Sequence, residues 1–311
     1  MTPTLKQLLN AYWLRPETAL WREIDINAMA TFRVVSPSLD LGCGDGIFSF
    51  IRAGGEFCTK FDAFQSVSNL DKFFDNTDVF DSFNGSLDIE ITRTPQYSFD
   101  VGLDFKERLL NKASALGLYS ELKQGNANDK LPFENESFNT IFSNIVYWLN
   151  SPKDVIVEIS RILKPGGRVC LMLPNDTLPN YSFYMKHYVS NGYDSRWSFL
   201  ELLDRGRFLD NIKHAKSYEE WTKIFASAGL KVDRHQYHLS KLTILTWDIG
   251  LRPLFPLLME MIDLIPKNKI EKIKIQWIDT FEKFIIPLIK LDEEGSGEAV
   301  PAFHCFELIK I

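Results

Sequence analysis

Residues 38–52, SLDLGCGDGIFSFIR, decide how the rest of the chain is read. An apolar strand over 34–41 runs straight into Gly42, Gly44 and Gly46, and a short helix opens at once over 47–52. Glycines at a strand-to-helix turn let the backbone bend tightly and come close to a ligand. The dinucleotide fingerprint would need glycine at 47, where Ile47 stands, and no Lys-Ser/Thr pair follows as a phosphate loop requires. The loop therefore suits a nucleoside ligand without a phosphate chain.

Working outward, short apolar strands alternate with helical stretches, the pattern of an α/β fold with a parallel sheet. Strands are expected at 99–103, 121–125, 140–146, 168–173, 231–239 and 303–311. Helices are expected at 105–116, stopped by Gly117, and after Ser151, which caps with Pro152 at the first position and Asp154 at the third. Lys164-Pro-Gly-Gly167 turns that second helix into the next strand. Ser217 and Glu220 form a capping box for a further helix with Trp221, Ile224, Phe225 and Ala228 on one face.

Several stretches resemble the class I S-adenosylmethionine-dependent methyltransferases, in the type 11-like branch that acts on small molecules. SLDLGCGDG (38–46) is similar to the first motif of that family, and VGLDFKERLLNKA (101–113) to its second strand and acidic end. GNANDKLPFENESFNTIFSN (125–144) resembles the third motif and fourth strand, and EISRILKPGGRV (158–169) the entry to the fifth. The resemblance is close over 34–175 and looser over 217–240. It implies a Rossmann-like, seven-stranded, mostly parallel sheet with helices on both faces and an antiparallel last strand. It also implies S-adenosylmethionine as cofactor and S-adenosylhomocysteine as product.

On this resemblance Asp40, Gly42, Cys43, Gly44 and Gly46 lie under the methionine part of the cofactor. Asp104, followed by Phe105, takes the ribose hydroxyls, a task suited to an acceptor-only group with two oxygens. Asn126 and Ala127 lie at the adenine edge, and Ser143 and Asn144 near the amino-acid tail. There are departures. Asn126 stands where many relatives carry Asp, Asn139 replaces a common Asp, and the spacing from Gly46 to Asp104 is much longer than usual.

The chain reads as one methyltransferase domain over 1–311 with four additions. They are an N-terminal helical extension (1–33), an insert after the first helix (55–98), and two helical segments (176–216 and 241–301) expected to overhang the cofactor as a substrate cap. The last contains a helix over 254–265 and a second in which Pro287 should bend or end the final turn. Tyr12, Arg15, Trp21 and Arg22 make the extension an amphipathic helix able to reach a carboxylate. Methyl transfer from a sulfonium is an in-line displacement that asks mainly for alignment, with a base needed for a hydroxyl acceptor. His187, then His214, are the candidate bases, with Tyr147 and Trp148 as candidate pocket wall; His235, His238 and His304 lie in strands, and each histidine also reads as packing.

The 311 residues carry a net charge of −6, which argues against a nucleic-acid partner; no NPPY-like acceptor motif is present either. Cys43, Cys58, Cys170 and Cys305 show no metal or disulfide spacing, so no metal is expected and a reducing cytoplasm fits. The most apolar window, 251–265, carries Arg252, Glu260 and Asp263 and is too short to span a bilayer, so no transmembrane segment is expected. The helices of 251–291 are still apolar enough for a peripheral membrane contact. The expected partner is a small, partly apolar acceptor: a natural product, or a lipid- or sugar-linked metabolite. The alternative is a non-catalytic cofactor-binding or interaction protein. The choice between monomer and homodimer stays open.

Overall fold

β1 (Ser38–Leu41) is buried along its whole length, as a strand must be that has neighbours on both edges and helices on both faces. The computed structural model describes residues 3–63, 89–193, 195–197, 212–295 and 299–311. β1 pairs in parallel with β4 (Phe99–Asp104), Leu39 opposite Val101, and with β6 (Phe138–Ser143), Ser38 opposite Thr140. With β5 (Tyr119–Gln124), β7 (Leu163–Pro174), β8 (Leu230–His238) and β9 (Phe303–Lys310) they form one seven-stranded sheet, in the order β5-β4-β1-β6-β7-β9-β8. Only β9 is antiparallel to its neighbours. This is the expected mostly parallel, Rossmann-like sheet with an antiparallel last strand. A separate ribbon pairs β2 (Glu56–Phe57) with β3 (Ile91–Arg93) in the 55–98 insert, whose residues 64–88 lie outside the described residues.

The crossover helices follow their local signals. α3 (Ile47–Arg52) starts on Gly46 at φ 74°, a left-handed conformation that a side chain would strain. α4 (Glu107–Ser114) runs back along β4 and β5, and α5 (Pro152–Ile162) starts with its proline at the first turn. Ser151 holds the cap position of α5, but its hydroxyl makes no capping bond, so the proline carries that start. α6 (Tyr218–Ser227) shows the full capping box between Ser217 and Glu220. β7 begins earlier than its sequence suggests: Leu163 pairs with Phe138 and Arg168 with Thr140, so Lys164–Gly167 bulge out between two stretches of one strand.

The N-terminal extension is two helices, α1 (Pro3–Ala11) and α2 (Pro16–Ala28), broken where Pro16 begins the second. Leu5, Leu8 and Leu9 of α1 are fully buried. α9 (Lys267–Glu293) lies over both helices: its Trp277 indole donates to the Trp13 carbonyl, and Lys274 donates to the Phe61 carbonyl. Pro287 does not end α9, which runs on to Glu293 because buried Ile289 and Asp292 hold its last turns. Asp292 accepts the Leu239 and Ser240 amides and the Thr243 hydroxyl, tying that end to the start of α7 (Lys241–Leu245). From α7 the chain stays helical through α8 (Phe255–Asp263). The 176–216 and 241–301 segments meet at Asp248, which is fully buried, pairs with Arg252 at 2.7 Å and accepts the Ser182 hydroxyl at 2.9 Å.

Candidate active site

A cavity of about 540 Å³ opens where β1, β4, β5 and β6 end, the crevice outside the carboxyl ends of the strands where ligands of open α/β sheets bind. Gly42, Cys43 and Gly44 form its floor, Asp104 and Phe105 one side, Asn126 and Ala127 the far end, and Asn144 and Ile145 the opposite side. Nine of the residues expected at the cofactor thus meet in one cavity, Asp40 being the ninth. Gly46 and Ser143 do not line it. A Cβ on Gly46 would touch Leu116 and Tyr119, so this glycine serves packing. The Ser143 hydroxyl is fully buried and donates to the Leu41 carbonyl, joining β6 to β1.

The floor is shaped by two glycines with different reasons for lacking a side chain. Gly42 has φ 79°, and a Cβ there would stand 2.3 Å from Cγ1 of Ile145. Gly44 has φ 57° and nothing within 4 Å, so its missing side chain leaves room for a ligand. Asp104 closes on this loop: one oxygen accepts the Gly44 amide and the other the Lys106 amide, both at 2.9 Å. Each carboxylate oxygen has two lone pairs, so both retain acceptor capacity toward the cavity. The Asn126 side-chain oxygen is occupied by the backbone and side-chain NH of Asn128, which leaves its NH₂ available to the cavity.

Beneath the loop, Asp40 is almost wholly buried and accepts from Ser49 at 2.6 Å and Tyr119 at 2.7 Å. Burial pushes its pKa up to about 6, with the two hydroxyls pulling the other way. Asp45 is also raised by burial, offset first by Lys112 and by the Ile47 amide it caps. Burial and the neighbouring carboxylates raise the Cys43 thiol, so it stays protonated and is no nucleophile. Three carboxylates (Asp40, Asp45, Asp104) against two cations (Arg22, Lys106) give the cavity a negative balance suited to a cationic ligand.

Tyr12, Thr18 and Arg22 of the extension complete the wall. Arg22 sits over the Phe48 ring at 5.0 Å and pairs with Asp25 at 3.1 Å. Burial opposes the Arg22 charge, but Asp25 together with the Tyr12 and Tyr147 hydroxyls outweighs it, and the net shift is upward. The other oxygen of Asp25 meets Nε2 of His238 at 3.1 Å, and Nδ1 of His238 has no partner among the described residues. None of the described residues of 176–216 or 241–301 lines this cavity; α9 packs against α1 and α2.

The expected proton-transfer residues are not brought together either. His187 stacks on Phe183 at 4.3 Å in the turn Tyr184–Val189, and His214 sits half-buried before α6; neither lines the cavity. Tyr147 is buried edge-on against Phe303, and burial raises its hydroxyl further above its usual range, which makes it a poor base. Trp148, packed against Tyr147, does reach the cavity beside Leu149. His235 and His304 pair with each other at 3.0 Å within the sheet.

Residues 94–171 match the family model described as a methyltransferase domain. Over that stretch the chain is similar to a methyltransferase domain. A demethylmenaquinone methyltransferase of Lactococcus lactis is 36% identical over 153 residues, which cover 44% of this chain and 58% of that protein. This chain therefore spans well under two thirds of the curated relative's length. Among solved structures, an S-adenosylmethionine-dependent methyltransferase of Thermotoga maritima aligns with 99% of this chain and all of that one, at 13% identity and a TM-score of 0.47. A geranyl diphosphate C-methyltransferase of Streptomyces coelicolor aligns with 94% and 79%, at 12% identity and a TM-score of 0.43. The matched stretch holds β4 to β6 and most of β7; the glycine loop lies before it and is joined to it by Asp104.

Proposed function

We propose that this chain transfers the methyl group of S-adenosylmethionine to a small, partly apolar acceptor. The observation that carries this reading is Asp104, whose two oxygens are fixed by loop amides while keeping lone pairs for a ribose diol. When bound, the cofactor supplies a methyl carbon already activated by its sulfonium. The chain's own part is to hold and align. Gly42 and Gly44 let the floor approach, Asp104 takes the ribose, and Asn126 with Ala127 faces the purine. Asp40 and Asp45 complement positive charge, and Arg22 faces a carboxylate.

Tyr12, Phe48, Trp148 and Leu149 give the remaining wall an aromatic, apolar character that fits an acceptor with an apolar part. The Lactococcus relative is named for demethylmenaquinone, and an acceptor of that apolar kind supports the same reading. With no imidazole on the cavity wall among the described residues, His187, His214 and Tyr147 take no proton in this reading. The acceptor atom then loses its proton to solvent or carries none.

The test is to incubate the protein with methyl-labelled S-adenosylmethionine and extracts of a bacterial cell. Label moving into an organic-extractable small molecule is the expected result. Cofactor binding without label transfer to any fraction favours the alternative, a non-catalytic cofactor-binding protein.

A further inference from the structure

The continuous helical segment Lys241–Asp263 leaves an apolar row on its outside. Leu254, Leu257, Met261 and Leu264 recur at intervals of three and four residues and are 37%, 53%, 51% and 85% exposed. That spacing keeps them on one side of a helix. Phe255 and Met259, on the other side, are buried in the fold. Length and composition alone would let Lys241–Asp263, at 23 residues, cross a membrane. Yet Trp247 packs on Trp21 at 5.2 Å, and Arg15 lies over Phe255 at 5.3 Å. A segment with one face held by α2 is placed to lie on a bilayer, not to cross it.

Directly after the row, Lys267, Lys269 and Lys272 are exposed at the start of α9. Glu271, among them, accepts the Thr59 hydroxyl. Glu260 and Asp263 are exposed on the flank of α8, off the row. An apolar row that ends in a lysine collar is the pattern of an interfacial helix on anionic lipid. A second copy of the chain fits less well: a stable dimer engages about 20–30 residues on each side, far more than this row supplies.

We propose that the face formed by Leu254, Leu257, Met261 and Leu264, with Lys267, Lys269 and Lys272, docks the protein on an anionic lipid bilayer. The other side of the docking segment packs on α2, whose Thr18 and Arg22 line the cavity. The docked face is thus one helix away from the wall of the site. Docking stands independently of the methyl-transfer reading, since vesicle binding needs no cofactor.

The test is co-sedimentation of the full chain with vesicles of phosphatidylcholine alone and of phosphatidylcholine with phosphatidylglycerol, alongside light scattering without lipid. The wild type should sediment with the anionic vesicles. The triple variant Leu257→Ser, Met261→Ser, Leu264→Ser should bind them about tenfold or more weakly, with an unchanged melting temperature, since it alters only exposed side chains. The variant Lys267→Glu, Lys269→Glu, Lys272→Glu should weaken anionic binding by about fivefold or more per charge removed. Failure of the wild type to sediment would overturn the proposal, as would vesicle binding indifferent to both variants. A dimer in solution that the serine variant converts to monomer would overturn it in favour of a second copy.

Discussion

Nη1 of Arg22 lies 3.1 Å from Oδ2 of Asp25, three residues on along the same helix, and the pair holds a guanidinium at the cavity wall. Asp25 is in turn backed by His238 at the end of β8. A guanidinium there offers a charge-assisted, two-pronged contact to a carboxylate. Arg22→Gln should therefore weaken S-adenosylhomocysteine by about 10- to 100-fold, the range for losing a hydrogen bond to a charged group. Binding of 5′-methylthioadenosine, which lacks the amino-acid tail, should hardly change. Calorimetry with both ligands checks this; equal losses for the two would show that Arg22 only shapes the wall.

Asp40 sets a pH dependence of stability. Its folded pKa of about 6 lies above the ordinary 3.8, so the folded state binds its proton more tightly than the unfolded state does. The stability it contributes is full below about 4 and is lost as pH rises through 6. Asp40→Asn removes this penalty. The variant should match the wild type in denaturant melts near pH 4 and exceed it above pH 6 by on the order of 3 kcal/mol. Its affinity for the cationic cofactor should fall at the same time, because a buried negative charge has been removed.

The His235–His304 pair acts in the opposite direction. Burial is the main cause that lowers the two pKa values, to about 4 and about 3. The proton thus binds the unfolded chain more tightly, and stability is full above about 6.5 and declines as pH falls toward those values. Replacing His304 with Gln should flatten the fall in melting temperature between pH 6.5 and 4. An unchanged slope would place the acid sensitivity elsewhere.

The two floor glycines should separate in substitution. Gly42→Ala combines a left-handed backbone with overpacking against Ile145 and should cost about 2–4 kcal/mol. The double variant with Ile145→Ala should show favourable coupling of about 1–2 kcal/mol, because the clashing atoms are gone. Gly44→Ala meets no neighbour and should cost only about 1 kcal/mol of backbone strain. Its methyl group stands in the cavity, so S-adenosylhomocysteine affinity should fall more than stability does.

The sheet and most of the residues that meet around the glycine loop were legible in the sequence because they depend on local signals. Gly46 with the helix after it, Ser217 with Glu220, and the buried run of β6 each declare themselves within a few residues. The wall made by Tyr12, Thr18 and Arg22 was harder to read. α2 buries Glu17, Glu23 and Asp25 as well as Leu20 and Ile24, so its hydrophobic pattern does not show which face is inside. Only the clustering of Tyr12 and Arg22 with Trp21 hinted at it. The surroundings of the histidines were no easier to read: His187 stacks on Phe183, and His235 pairs with His304 across the sheet. A single sequence cannot distinguish such pairing from catalysis.

Everything proposed for the cavity turns on Asp104 as the holder of the ribose of an S-adenosylmethionine-type ligand. Calorimetric titration of S-adenosylhomocysteine into wild type and Asp104→Ala tests it most directly. The wild type should bind at micromolar concentration and the variant about 100-fold or more weakly, with a cooperative thermal melt retained. Absence of binding by the wild type, or equal binding by the two proteins, would contradict it.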